Sequence, residues 1–246
     1  MADRPIERGL ADRLVSAVAE LGGGVPVDLD RVANALGVSA IVRAPMIEDG
    51  RTTWEGGRPR IELRDDRPAE RTRFTLAHEI GHILIARDQT VARRTRDLHA
   101  DDVETLCDWI AASILMPRRW VAGYAGRDQY NLSLLRLVAH RADASMSAAA
   151  VRLAEVGNRT CVLLRWQRSP TRWLVVGQAA VPREYAGNLQ ATPETNTILD
   201  QLPNRRDSWR EVTLGIFGDD VSLLATAHAD RIGSTCVSLL TALSPS

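Results

Sequence analysis

Two histidines and a glutamate at fixed spacing are the strongest chemical signal in the sequence. The segment His78-Glu79-Ile80-Gly81-His82 separates its imidazoles by four residues, which on a helix puts both on one face, one turn apart. Imidazole nitrogens are zinc ligands, so the pair can chelate one ion. Glu79 can reach a water molecule at such an ion and is the candidate general base. The segment therefore predicts a metal site that activates water.

Such a site needs a third protein ligand, and several downstream side chains are available. The candidates are His99, Asp101, Asp102, Glu104 and Asp108. Glu104 lies on the next predicted helix, and a ligand on a rigid element is held better than one on a loop. This favours Glu104 modestly over His99. Asp108, one turn further on, is placed to orient a ligand imidazole. Two imidazoles and a carboxylate suit manganese as well as zinc, with tetrahedral zinc as the default.

Hydrophobic periodicity indicates the helices that position these residues. One helix has Pro68 in its first turn, carries both histidines and ends near Arg87. A second helix covers residues 101–116, and Pro117 stops it. The Arg- and Asp-rich segment 88–100 between them is predicted to be a polar loop.

Upstream, the pattern predicts two more helices and a small sheet. The first helix covers residues 6–21, and the second covers 28–37 with Asp28 as its N-cap and Gly37 as its stop. Three short strands follow within residues 39–64, separated by glycine turns.

The hydrophobic periodicity changes towards the C-terminus. Residues 131–156 predict two helices, and from about residue 160 strand-like runs surround one further helix. We therefore predict an α+β protein in three parts. These are a mainly helical domain with a small sheet (1–125), a helical pair (126–157) and a small α+β domain (158–246).

Composition narrows the class of function. The formal net charge is zero, with 31 basic and 31 acidic residues, which gives no support for DNA binding by the whole chain. The three widely spaced cysteines, Cys107, Cys161 and Cys236, predict free buried thiols in a reducing compartment. The charged N-terminus and the lack of a long apolar run predict a cytoplasmic protein without a membrane span.

Two segments resemble the ImmA/IrrE family of metallopeptidases. RTRFTLAHEIGHILI is similar to that family's RFTLAHELGH-type helix, and VETLCDWIAASILMP to its E-x-x-(C/A)-(N/D)-x-x-A-A-x-(L/I)-L-M-P pattern. The resemblance covers about residues 25–120. It implies a zincin-like domain, zinc ligands at His78, His82 and Glu104, and a catalytic glutamate at Glu79.

The resemblance also implies a function. We expect a zinc-dependent, site-specific peptidase that cleaves a helix-turn-helix transcriptional repressor and relieves repression, in a stress response such as that to DNA damage or in mobile-element control. The alternative is a catalytically silent regulator that binds a repressor or DNA and keeps a structural metal site. Glu79 favours the peptidase, because a silent regulator has no chemical need for it. Residues 58–64 are either an ordinary strand or an edge strand that pairs with an extended substrate.

Three further hypotheses concern the remaining chain. The helical pair resembles a helix-turn-helix, but its second helix offers only Arg152 to base edges, so a packing role is favoured over DNA binding. The family resemblance allows a GAF-like sensor domain at the C-terminus, and the strand-helix-strand pattern permits it. Three tryptophans there lie either in the core or along a pocket: Trp166, Trp173 and Trp209. The residue that stabilises the oxyanion is left open among His99, Tyr124 and Tyr130.

Overall fold

A computed structural model gives the α+β fold. It describes residues 8–245 except 17, 19, 97, 127–129, 159–160, 180–189, 205–209, 218–221 and 233. Within these residues the chain forms nine helices and two sheets, which confirms the predicted fold class. Contacts divide the chain into two compact units, residues 1–121 with 140–145 and residues 122–139 with 146–246. The three-part division at residues 125 and 157 stays a prediction.

The first unit consists of helices around a three-stranded sheet. Its elements are α1 (Arg8–Ser16), α2 (Leu29–Ala35), β1 (Ile41–Ala44), β2 (Gly50–Glu55), β3 (Arg58–Arg64), α3 (Ala69–Arg87), α4 (Gln89–Thr95) and α5 (Ala100–Leu115). The helix α6 (Arg118–Ala125) follows Pro117. The predicted start and end of α2 are confirmed. Asp28 caps the helix by accepting a hydrogen bond from the amide of Arg31, and Gly37 takes a positive φ of 64° after its last turn.

The order of the sheet corrects one hypothesis. The strand order is β1-β3-β2, with β1 parallel and β2 antiparallel to β3. Residues 58–64 are therefore central and have no free edge for a substrate. Of the two alternatives for these residues, the ordinary strand is confirmed and the edge strand is wrong, because β1 pairs with β3 from a distance in sequence that local patterns do not reveal. In the described part of the chain, β2 is the strand that ends the sheet on the side of α3.

Helices α3 and α5 pack together over a fully buried core. Ile80 and Ile83 of α3 and Leu106 and Ile110 of α5 have no exposed surface. The helices come close at Gly81, where a Cβ atom would lie 3.4 Å from the Cα of Cys107. This close approach brings the polar side chains on the neighbouring faces of α3 and α5 within reach of each other.

A short helix replaces the predicted loop at residues 88–100. Asp88 accepts hydrogen bonds from the amides of Thr90 and Val91 and so caps α4. The helix is polar and buries Val91 alone. The loop prediction was wrong because it weighed the polar composition and missed the capping aspartate.

The second unit contains a closed antiparallel sheet with helices against it. Its elements are α7 (Leu132–Arg141), α8 (Met146–Gly157), β4 (Val162–Arg168), β5 (Trp173–Ala179), β6 (Gln190–Ala191), α9 (Pro193–Gln201), β7 (Arg210–Phe217), β8 (Ser222–Ile232) and β9 (Thr235–Pro245). Each strand pairs with the next along the chain, and β9 pairs with β4 to close the ring. The GAF-like assignment stays a prediction.

Tryptophans fill the interior of this unit. Trp166 and Trp173 are buried in one apolar cluster, and their indole nitrogens donate to Ser238 and Asp200 at 2.8 and 3.0 Å. They are core residues, which was one of the two predictions made for them, whereas Trp209 lies outside the described residues. All three cysteines are free and buried, as predicted.

The helical pair packs against the sheet of the second unit. Helix α8 contacts β4 and β5, and Arg136 of α7 forms an ion pair with buried Asp230 of β8. Arg152, the basic side chain that a reading helix would offer to DNA, is fully buried and ion-paired with Glu155 at 3.0 Å. This supports the packing interpretation over DNA binding.

None of the helices in the described residues is both long and apolar enough to cross a membrane.

Candidate metal centre

Helices α3 and α5 bring the predicted ligands together. His78 and His82 lie one turn apart on α3, and Glu104 and Asp108 lie one turn apart on α5. The histidines are partly buried, with 15% and 30% of their side chains exposed, whereas Glu104 is 56% exposed. The cluster therefore lies between the helices and opens to solvent on the side of Glu104.

The distances among these side chains match a tetrahedral zinc site. The Nε2 atoms of His78 and His82 are 3.2 Å apart. The Glu104 carboxylate has one oxygen 3.1 Å from the Nε2 of His78 and the other 3.5 Å from that of His82. Ligand atoms about 2.0–2.1 Å from a tetrahedral zinc ion are about 3.3–3.4 Å from each other. The residues present therefore fit the ion.

Asp108 fixes the orientation of the first ligand. Its Oδ1 lies 2.8 Å from the Nδ1 of His78. A zinc ion held at Nε2 would place the ring proton on Nδ1, where the Asp108 carboxylate accepts its hydrogen bond. Burial lowers the pKa of His78, but the hydrogen bond and charge of Asp108, with the nearby carboxylates of Glu79 and Glu104, outweigh it. The net pKa of His78 lies above its ordinary value.

Cys107 is a second candidate for the third position, which the sequence analysis missed. Its Sγ and one ring nitrogen from each of His78 and His82 all lie within 4.8 Å of one another. Burial, with the charge of Glu104 close by, raises the pKa of this thiol well above its ordinary value. The signal was available, since Cys107 follows Glu104 by three residues on one helical face. Glu104 is the better candidate because its distances to both imidazoles match the zinc geometry and it lines the open cleft.

The candidate base is held beside the metal ligands. Glu79 is only 5% exposed, and its Oε2 accepts a 2.7 Å hydrogen bond from the hydroxyl of Thr52 on β2. Thr52 was not among the predicted site residues, because its role depends on how β2 packs against α3.

A cleft of about 830 Å³ leads to these groups. It runs between α3, α5 and β2, and its walls include the aromatic residues Trp54 and Phe74. Trp54 is 48% exposed, which is unusual for so large an apolar side chain. The cleft therefore offers two aromatic side chains near the predicted metal ligands, within a lining that is otherwise mostly polar and charged.

The other predicted candidates lie away from this cleft. His99 is an exposed residue at the start of α5, and Asp101 and Asp102 occupy the first turn of that helix. Tyr124 and Tyr130 are buried in the second unit, where the Tyr130 hydroxyl donates to the carbonyls of Ala125 and Leu153. In the described residues, none of the five lines the cleft.

The sequence matches a known domain family. Residues 33–154 match the family model of the IrrE N-terminal-like domain, Peptidase_M78. The Radiation response metalloprotease IrrE of Deinococcus radiodurans is 35% identical over 136 residues, which cover 53% of this chain and 38% of that protein. The protein of the same name from Deinococcus deserti is 38% identical over 91 residues, covering 35% and 32% of the two chains. The chain thus aligns with well under half the length of these relatives.

A solved structure shares the fold. A Mycobacterium tuberculosis transcriptional regulator matches with a TM-score of 0.56, covering 95% of this chain and 74% of the other. At 14% identity the likeness concerns the fold alone.

Proposed function

Because the chain belongs to the ImmA/IrrE family of metallopeptidases through the domain at residues 33–154, we propose that it is a zinc-dependent, site-specific peptidase. The observation that carries the proposal is the convergence of His78, His82 and Glu104 at zinc-ligand spacing beside a buried Glu79. In this proposal the three converging side chains hold the metal and Glu79 is the general base.

In peptide hydrolysis, the zinc ion and the side chains of the protein would have different roles. A bound zinc ion would supply Lewis acidity, which lowers the pKa of water from about 15.7 towards 7 and polarises a peptide carbonyl. Glu79 takes the proton of the attacking water and passes it to the leaving amine. His78, oriented by Asp108, would hold the ion through its Nε2.

The free edge of β2 is the surface we assign to the substrate backbone. Antiparallel pairs alternate between residues that bond to the partner strand and residues whose backbone groups point away. Asp49 and Arg64 form a bonded pair, with the Arg64 amide 2.9 Å from the Asp49 carbonyl. The alternation then directs the backbone groups of Gly50, Thr52 and Trp54 to the free edge. An extended peptide that pairs there lies along the cleft.

The open geometry favours the peptidase over the silent regulator. Structural zinc sites are closed by four protein ligands, whereas catalytic sites keep one position for water or substrate. Here His78, His82 and Glu104 have the spacing of zinc ligands and line the cleft, whereas the buried Cys107 thiol does not line it. A site that served structure alone would also have no use for Glu79, which is buried and hydrogen-bonded beside the histidines.

We assign the substrate to the class of helix-turn-helix transcriptional repressors, and the setting to a stress response or mobile-element control. This assignment rests on the family resemblance. It agrees with a cleft whose backbone-pairing edge suits an extended segment of a protein.

Metal content and cleavage test the proposal together. Elemental mass spectrometry should find about one zinc per chain in the wild type and in Glu79→Gln, and much less in His82→Ala. The zinc-loaded wild type should then create new N-termini in a lysate of the source cells, detected by N-terminal labelling and mass spectrometry. Glu79→Gln should create none, and the new termini should map to a helix-turn-helix repressor.

Two results would decide against the proposal. A wild type that binds no zinc, even when zinc is added, would overturn the metallopeptidase. Zinc binding without any new terminus would support the silent regulator instead. New termini in other proteins would keep the peptidase and replace the repressor.

A further inference from the structure

The carboxylate of Glu79 is held by the edge strand rather than by its own helix. The Thr52 hydroxyl donates to Oε2 of Glu79 at 2.7 Å and also lies 3.4 Å from the Glu79 backbone carbonyl. A carboxylate on an isolated helix rotates about several bonds, whereas one fixed by a hydrogen bond keeps a defined direction. Thr52 therefore limits the positions that the Glu79 carboxylate can take.

Gly50 allows this contact. A Cβ atom at Gly50 would lie 2.4 Å from Cγ2 of Thr75 and 2.8 Å from Oε1 of Glu79, which is too close for either neighbour. The absence of a side chain lets β2 lie directly over the Glu79 carboxylate. The two oxygens thus meet different parts of one strand, Oε2 at Thr52 and Oε1 at Gly50.

The same residue faces the substrate edge. The side chain of Thr52 points to Glu79, while the alternation along β2 directs its backbone groups to the free edge. Its neighbour Thr53 has the opposite arrangement, because successive side chains in a strand point to opposite faces. Thr52 therefore contacts the candidate base through its side chain and faces the proposed substrate path through its backbone.

We propose that Thr52 is a positioning residue that ties the substrate-binding edge to the general base. This inference rests on the proposed peptidase function. A peptide paired with β2 at Thr52 is held at a fixed distance from the carboxylate that Thr52 also holds. The register of the substrate strand thereby determines which peptide bond lies next to Glu79, which accounts for cleavage at a particular site.

The test compares three variants of the zinc-loaded full chain. Thr52→Val removes the hydroxyl at nearly constant shape, Thr52→Ser retains it, and Thr53→Val makes the same change on the opposite face of β2. The first readout is the carboxyl carbon resonance of Glu79 in protein labelled at the glutamate side chain, assigned with Glu79→Gln. The second is the initial rate on a pool of quenched fluorogenic peptides with randomised central residues.

Thr52→Val should move the Glu79 resonance and lower the rate roughly 10-fold, a fraction of the roughly 10²–10⁴-fold that a positioned base contributes. Thr52→Ser and Thr53→Val should keep both the resonance and the rate near wild type. Zinc content should be equal in all four proteins, because no metal ligand changes.

Two outcomes would overturn the inference. The first is a Glu79 resonance that stays in place in Thr52→Val, or moves as far in Thr53→Val. The second is a resonance that moves while the rate in Thr52→Val stays at the wild-type value. If the wild type cleaves no peptide in the pool and no protein in the lysate, the proposed peptidase function is wrong. The proposed effect of Thr52 on cleavage is then wrong as well. The resonance still decides the Thr52–Glu79 contact in that case.

Discussion

Oδ1 of Asp108 lies 2.8 Å from Nδ1 of His78, so a residue of α5 orients a proposed metal ligand of α3. The contact holds the imidazole and raises its basicity, and both effects would strengthen the proposed metal binding. The spacing of Asp108 from Glu104 predicted this orienting role. The contact between Oδ1 and Nδ1 names the two atoms through which it would act.

We expect Asp108→Ala to weaken zinc binding by about 10–100-fold, because the imidazole loses its hydrogen-bonded partner. Competition with a chromophoric chelator would measure the dissociation constant. Asp101→Ala is the matched control, since Asp101 is an exposed carboxylate on the same helix and lies away from the cleft. An unchanged zinc affinity in Asp108→Ala would show that the contact does not contribute to binding.

A second prediction separates Glu104 from Cys107 as the third ligand. Glu104→Ala should lose most of the bound zinc, whereas Cys107→Ala should keep the wild-type stoichiometry. Replacement of zinc by cobalt gives an independent readout, because a thiolate ligand adds an intense charge-transfer band that a carboxylate lacks. We expect no such band in the wild type. A band that disappears in Cys107→Ala would assign the third position to the thiolate.

The acid stability of the first unit should depend on Asp49, which lies just before β2. Its carboxylate accepts hydrogen bonds of 2.7 Å from Nε of Arg67 and from Nε of Arg71. These hydrogen bonds, that of Arg67 first, lower the pKa of Asp49 below its ordinary value of 3.8. A lowered folded-state pKa stabilises the protein above the unfolded-state pKa, and the stabilisation is lost as the pH falls through the folded-state pKa.

Asp49→Asn should therefore cost about 1 kcal/mol near neutral pH, a modest figure because the arginines are partly exposed. The difference from wild type should shrink as the pH falls below about 4. Urea unfolding across this range would measure it, with Asp65→Asn in the exposed turn after β3 as the control. A difference between wild type and Asp49→Asn that stays constant down to about pH 3 would contradict the prediction.

Local patterns predicted most of the elements that carry the site. Hydrophobic periodicity predicted the helix of the two histidines, the helix of Glu104 and the three strands within residues 39–64. Pro68 and Pro117 marked one end of each helix. All of these signals act within a few residues. The spacing of His78 and His82 then specifies their common face. These predictions succeeded because the physical cause lies in the segment itself.

The features that the sequence analysis missed depend on distant contacts. The central position of β3 follows from its pairing with β1, and the closed ring in the second unit follows from the pairing of β9 with β4. The contact of Thr52 with Glu79 joins a strand and a helix 27 residues apart. Periodicity carries no information about such partners.

The last prediction concerns the helical pair and decides between packing and DNA binding. Arg152 has no exposed surface and lies 3.0 Å from Glu155, whose side chain is 13% exposed. Removal of one partner leaves the other charge buried, which typically costs about 3–5 kcal/mol. Arg152→Ala should therefore lower the urea midpoint strongly, as followed by intrinsic tryptophan fluorescence, to which buried Trp166 and Trp173 contribute. Its affinity for a pool of random DNA duplexes should equal that of the wild type. A variant that keeps its stability and loses DNA affinity would make α8 a reading helix, because only a solvent-facing arginine can contact bases without supporting the fold.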